Sequence, residues 1–269
     1  MIGASRGSLA SVQESLNSRA DQGDLSALSA ELFAVATLLG SEKSLVLTLA
    51  DSGQSAGSRS ALVNDLLGNK VSALTVSVIT DVVNARWSSP SDLVDAIELL
   101  AAQAGFISAN RDGSLDRVES ELFHFGRAVD ASSELQMSLT DPALSAQAKA
   151  GIIRDLLADK VSLTSLSIIT YVASHLRGRR VDSLVSQLTE LAAAQRNQVV
   201  AQVTSVVALD DGQQQRLIAA LNKLTGKNVR LNVAVDPTII GGFSVKIGED
   251  IIDGTIASRL EDARRALLA

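Results

Sequence analysis

The side chains that could do chemistry in this 269-residue chain are few and scattered. Its two histidines, His124 and His175, lie 51 residues apart, and there is no cysteine. Thiol catalysis, disulfides, iron–sulfur clusters and cysteine zinc sites are therefore excluded. His175, two residues before Arg177, has the type and setting of a general base. A simpler reading is a histidine at a helix C-terminus, where the macrodipole favours a proton. His124, within Leu122-Phe123-His124-Phe125, reads as helix surface. Arg177-Gly178-Arg179-Arg180 is a tight basic cluster, suited to an acidic partner or to a solvated turn. Asp236 and Asp253 could act as acid and base, but neither has a companion His, Lys or metal cluster, and capping and turn roles account for both. Gly241-Gly242 could cradle a phosphate only if a helix began directly after it. Strand-like Phe243-Ser244-Val245-Lys246 follows instead. P-loop, dinucleotide-binding, HExxH and GxSxG motifs are missing. The expectation is a chain without catalytic residues, cofactor or metal.

Such a chain must be read through the elements it can build. It is 46% apolar, 3% aromatic and 20% charged, with three prolines and a formal charge of −6. Aliphatic, Ala- and Leu-rich composition with little proline favours packed helices. The acidic balance disfavours a nucleic-acid footprint. No apolar run approaches the ~18 residues that suggest a membrane span. The N-terminal MIGASRGSLASVQ lacks a signal-peptide core, so a soluble cytoplasmic chain is expected.

An internal repeat organises the sequence. Leu45–Val82 and Leu135–Val172 align at an offset of 90 residues, with 15 of 38 positions identical. The identities include Asp51/Asp141, Ser55/Ser145, Asp65/Asp155, Lys70/Lys160 and Ser72/Ser162. The register extends back through Glu31-Leu32-Phe33 and Glu121-Leu122-Phe123, and forward, with one residue inserted, to LVDAIELLAA against LVSQLTELAA. So long a period predicts a duplicated small helical domain. Residues 70–82 and 160–172 are then expected in equivalent helices. Val181, Leu184, Val185, Leu188, Leu191 and Ala192 form one helical stripe, and Ile152, Ile153, Leu156 and Leu157 another. Ser89-Pro90 and Asp141-Pro142 both read as helix starts, and Gly178 as a turn between helices.

After residue 197 the periodicity changes. Residues 199–207 are β-branched and strand-like, and Asp210 opens a helix that ends at Gly226. Val229–Val235 and Phe243–Ile247 alternate with period two, and Gly248-Glu249-Asp250 turns a hairpin into Ile251-Ile252. A last helix would carry Ile256, Leu260, Ala263 and Leu267. The predicted fold is mainly α: helical repeats at 1–110 and 111–197, then a small α+β unit of order β-α-β-β-α at 198–269.

The tail VDPTIIGGFSVKIGEDIIDGTIASRLEDARRAL, residues 235–267, resembles the C-terminal signature of the delta subunit of F-type ATP synthases, the oligomycin-sensitivity-conferring protein family of mitochondria. The positions that carry the likeness are Asp236, Pro237, Gly241, Gly242, Gly248, Asp253 and Thr255, the last standing where the family usually has Ser. Leu224-Thr225-Gly226-Lys227-Asn228-Val229 is similar to a further family segment. The likeness runs from about residue 115 to the end, and the N-terminal half departs from the usual single bundle by duplication. The resemblance implies a non-catalytic stator subunit of the proton-translocating enzyme. Its bundle would grip N-terminal helices of the alpha subunits, its C-terminal domain would hold the C-terminal region of the b subunit, and together they would resist rotor torque. It also implies a bacterial chain at the cytoplasmic face of the cell membrane, associated with the membrane only through the complex and binding no nucleic acid. The competing expectation is a helical adaptor of another multi-subunit complex.

Overall fold

The computed structural model describes residues 3–196, 198–236, 242–247 and 250–253. The chain parts between Arg196 and Asn197 into two compact units.

The first unit is helical: α1 (Ala4–Ser18), α2 (Leu25–Ser41), α3 (Lys43–Ala50), α4 (Ala56–Leu67), α5 (Ala73–Asn84), α6 (Pro90–Arg111), α7 (Leu115–Ala131), α8 (Ser133–Thr140), α9 (Ala146–Leu157), α10 (Leu163–Ser174) and α11 (Val181–Arg196). Helices α2 to α5 return as α7 to α10 with every bound displaced by 90. Residues 70–82 and 160–172 thus lead into the equivalent helices α5 and α10. The caps repeat as well. Ser55 and Ser145 accept backbone N–H bonds from Ser58 and Ala148, and Ser72 and Ser162 from Thr75 and Ser165. Each hydroxyl satisfies a donor that the first helical turn leaves open.

Displaced by the same 90 residues, α1 falls inside α6. Helix α6 therefore closes the first repeat and opens the second. Fifteen of its 22 residues are buried, including every residue from Ala96 to Ile107. Only a helix covered on all sides is buried like this. Ser89 caps it and Pro90 occupies its first turn, as expected. The core is continuous from Val12 in α1 to Ala192 in α11. At the α7–α11 crossing, a Cβ on Gly126 would lie 3.0 Å from Val185, so any larger residue would have to displace that side chain by a few tenths of an ångström.

One helix start is corrected. Asp141 ends α8, and its carboxylate accepts the Ala143 N–H at 2.8 Å, making a turn. Ser145, not Asp141, caps the next helix. Gly178 does turn the chain between α10 and α11, with φ at +79°.

The second unit contains β1 (Gln198–Ser205), α12 (Asp211–Thr225), β2 (Asn228–Val235), β3 (Phe243–Ile247) and β4 (Asp250–Asp253), with sheet order β2-β1-β3-β4. β1 and β2 are parallel, joined by α12 as parallel strands require a crossover. The other pairs are antiparallel. Asp210 and Gln213 form a reciprocal capping box at the start of α12, and Gly226 ends it in the left-handed conformation. Ala201, Val203, Leu221, Val229 and Val245 make the core. The described order is β-α-β-β-β, because the second arm of the expected hairpin is a full strand. The expected last helix lies outside the described residues.

Candidate docking surfaces

The basic cluster is positioned by α6. Asp95 and Glu98 stand one turn apart on this helix, facing the turn after α10. Arg177 bonds Asp95 and reaches Glu98 at 2.7 Å; Arg179 reaches Glu98 at 2.8 Å and Asp95 at 3.4 Å. The Glu98 side chain is 7% exposed, and the Tyr171 hydroxyl donates to it at 2.8 Å. Burial, then the Glu98 charge and this hydrogen bond, push the Tyr171 hydroxyl well above its ordinary range, so it remains a donor. The turn is therefore an internal clamp and not an open basic patch. Arg180 is the most exposed of the three and pairs with Asp182 at 2.9 Å.

The same tyrosine joins the two repeats. Its ring stacks on Phe33 of α2 at 4.4 Å between centroids and on His175 at 4.4 Å. His175 ends α10, as expected of a helix-terminal histidine, and its Nδ1 lies 2.9 Å from the Ser174 hydroxyl and 3.0 Å from the Tyr171 carbonyl. His124 is exposed, with the Phe123 ring edge-on at 5.8 Å. Sequence reasoning does not single out Tyr171, Asp95 or Glu98, and Phe33 enters it only as a position of the repeat. The available signal was Glu98 within the long apolar run that follows Asp95, and a single tyrosine where the other repeat has Asp81.

Two apolar grooves flank this core. The first, of about 620 Å³, runs between Phe33 and Thr37 of α2, Ala146 and Ala150 of α9, and Leu163 and Thr170 of α10, with Arg154 and His175 among its polar groups. Leu163 is 85% exposed there. The second, of about 490 Å³, lies between α7, α8 and α9, with Phe125, Leu135, Ile153 and Leu157 in its walls. Leu156, expected in a buried stripe, is 44% exposed and faces this groove. Apolar grooves bounded by helices are the form in which amphipathic helices are received. No single described helix is long and apolar enough to cross a membrane. Helices α2 and α3 pass that test only together, and they are bent by 106°.

In the second unit the register gathers three signature residues at one end of the sheet. Asp236 follows β2 and donates its backbone N–H to the Ser205 carbonyl at 2.8 Å. Gly242, with φ at +85°, precedes Phe243, which pairs with Ser205. Asp253 pairs with Ser244 at the outer edge of β4. Asp236 and Asp253 are thus separated by three strand spacings of about 4.8 Å, too far apart for one acid–base pair. Pro237, Gly241, Gly248 and Thr255 lie outside the described residues.

Internally paired charges, helices packed around one shared helix and open apolar grooves define a helical interaction subunit carrying a small α+β unit. The family model described as ATP synthase delta (OSCP) subunit matches residues 101–267, from within α6 onward. The chain is 43% identical over 269 residues to ATP synthase subunit delta of Streptomyces griseus, covering 99% of both chains. It is 42% identical to that of Streptomyces coelicolor, covering 99% of this chain and 98% of that one, and 40% identical to that of Thermobifida fusca, covering 99% of both. A chain in the mitochondrial ATP synthase hexamer of Toxoplasma gondii overlays with a TM-score of 0.29 at 22% identity, covering 64% of this chain and 97% of that one, which is too low to bear on the fold. The chain belongs to the ATP synthase delta (OSCP) subunit family. The family's setting is ATP synthesis and ion transport, and its place is the stator, or peripheral stalk. The duplicated first repeat is not a peculiarity of this chain, since these relatives match it over their whole length.

Proposed function

We propose that this chain ties the alpha subunits of the catalytic head to the b-subunit stalk, at the cytoplasmic face of a bacterial cell membrane, and resists rotor torque. The residue ranges 1–110 and 111–197 act as two bundle repeats, and 198–269 as the domain that meets the b subunit. Asp236, Pro237, Gly241, Gly242, Gly248, Asp253 and Thr255 serve that domain as structural residues. The observation that carries this reading is the pair of grooves, of about 620 and 490 Å³, walled by α9 in the family-matching part of the chain. A torque-bearing link needs receptive grooves on a stiff body, and the clamp of Glu98, Tyr171, Arg177 and Arg179 stiffens the body beside the larger groove.

The test is calorimetry of the full chain with a peptide matching the alpha-subunit N-terminus. The expected result is saturable binding that Leu163→Asp weakens at least about tenfold, as truncation of a central apolar anchor does. Absence of binding overturns the alpha-subunit assignment. Co-purification with a different complex in place of the ATP synthase would favour the adaptor reading.

A further inference from the structure

Phe33 and Phe123 occupy the same place in the two repeats, each following a fully buried leucine, Leu32 or Leu122. Their surroundings differ. Phe33 is 5% exposed under the Tyr171 ring of α10, whereas Phe123 is 57% exposed, with the His124 ring edge-on to it. One turn beyond Phe123, Arg127 is exposed and makes no ion pair among the described residues, while Arg117 near the start of the same helix is paired with Glu121. The first repeat holds Thr37 at the position of Arg127.

We infer that the outer face of α7 around Phe123 receives an amphipathic helix from another subunit of the ATP synthase, one presenting an aromatic ring to Phe123 and a carboxylate to Arg127. The molecule itself supplies the pattern. When a helix lies on this face in the first repeat, it brings an aromatic ring onto the phenylalanine. The second repeat offers the same ring with an unpaired cation one turn on, which a carboxylate complements. Phe123 and Arg127 line neither groove, although His124 beside Phe123 borders the second, and the inference rests on the chain being a stator subunit.

The experiment places the photo-crosslinking residue p-benzoylphenylalanine at position 123 in the purified, assembled ATP synthase and maps its products by mass spectrometry. The expected product joins residue 123 to a helical segment of another subunit that carries an aromatic residue and an Asp or Glu about one turn apart. Phe123→Glu and Arg127→Glu, whose folding is checked by circular dichroism, are each expected to weaken retention in the complex at least about tenfold. Crosslinks confined to this chain, to a second copy of it or to lipid overturn the inference, as does unchanged retention of Phe123→Glu. Failure of the unaltered chain to co-purify with the ATP synthase would instead overturn the stator reading.

Discussion

Helix α6 is closed in on every side, whereas α11, which takes the same place at the end of the second repeat, keeps Ser183, Ser186, Gln187 and Glu190 in water. The difference follows from what comes next in the chain. Helix α6 is followed by a second copy, whose α7, α10 and α11 pack against it in addition to α1, α2, α3 and α5 of the first. Within the first unit no further repeat follows α11, and one face of the helix stays polar. The same contrast separates Phe33 from Phe123, buried in one repeat and exposed in the other. Duplication thus gives closely similar local structure and unequal burial at equivalent positions such as Phe33 and Phe123.

The largest effect that would break this comparison is a truncation at the two phenylalanines. Phe33→Ala removes a buried ring from the junction and is expected to cost about 3–5 kcal/mol. Phe123→Ala removes an exposed one and is expected to stay within about 0.5 kcal/mol. Urea unfolding of the two variants decides it; equal losses would mean that the repeats are not used unequally. Next in size is Glu98→Leu. It leaves Arg177 and Arg179 with Asp95 as their remaining carboxylate, and both arginines are 29% exposed and can recover water. A loss of about 2–3 kcal/mol is expected, below the full cost of stranding buried charges. Tyr171→Phe keeps the stack on Phe33 and removes only the hydroxyl that bonds Glu98. It should cost about 1–2 kcal/mol, and combining it with Glu98→Leu should cost less than the sum, since the pair acts as a unit.

The duplication was legible because it is written in polar residues with fixed structural duties, Ser55/Ser145 and Ser72/Ser162, which cap equivalent helices. The C-terminal strands were legible because alternation has only one structural meaning. The double role of α6 was not. Its run from Ala96 to Ile107 has no polar side to mark a boundary, so the sequence showed where a repeat ended but not that the next began in the same helix. Asp141-Pro142 misled because an aspartate before a proline suits a turn as well as a cap, and only Ser145 downstream distinguishes them. Local sequence also could not separate Phe33 from Phe123, since the deciding neighbour, Tyr171, lies far along the chain.

The smallest predicted effect concerns a feature that both repeats share. Glu31 accepts the Ser72 N–H at 2.9 Å and its hydroxyl at 2.7 Å, as well as the Thr75 hydroxyl. Glu121 accepts the Ser162 N–H at 3.0 Å and its hydroxyl at 2.7 Å, together with Arg117 at 2.7 Å. Each carboxylate thereby ties α2 or α7 to the start of α5 or α10. Burial disfavours both charges, and the hydroxyl and amide donors outweigh it, holding Glu31 and Glu121 below the ordinary value of 4.5. The folded state therefore releases these protons more readily than the unfolded chain. Their stabilisation is complete above the unfolded value and fades as pH falls through the lowered folded values. Glu31→Gln and Glu121→Gln should each cost about 1 kcal/mol at neutral pH. That deficit should shrink as pH is lowered from 6 towards 3 in urea titrations, because acid removes the same charge from the unaltered protein. Equal losses in the two variants would show that the clips are equivalent even where the repeats' surfaces are not. A larger loss for Glu31 would mean that the tie is worth more where the repeat is buried against its neighbour.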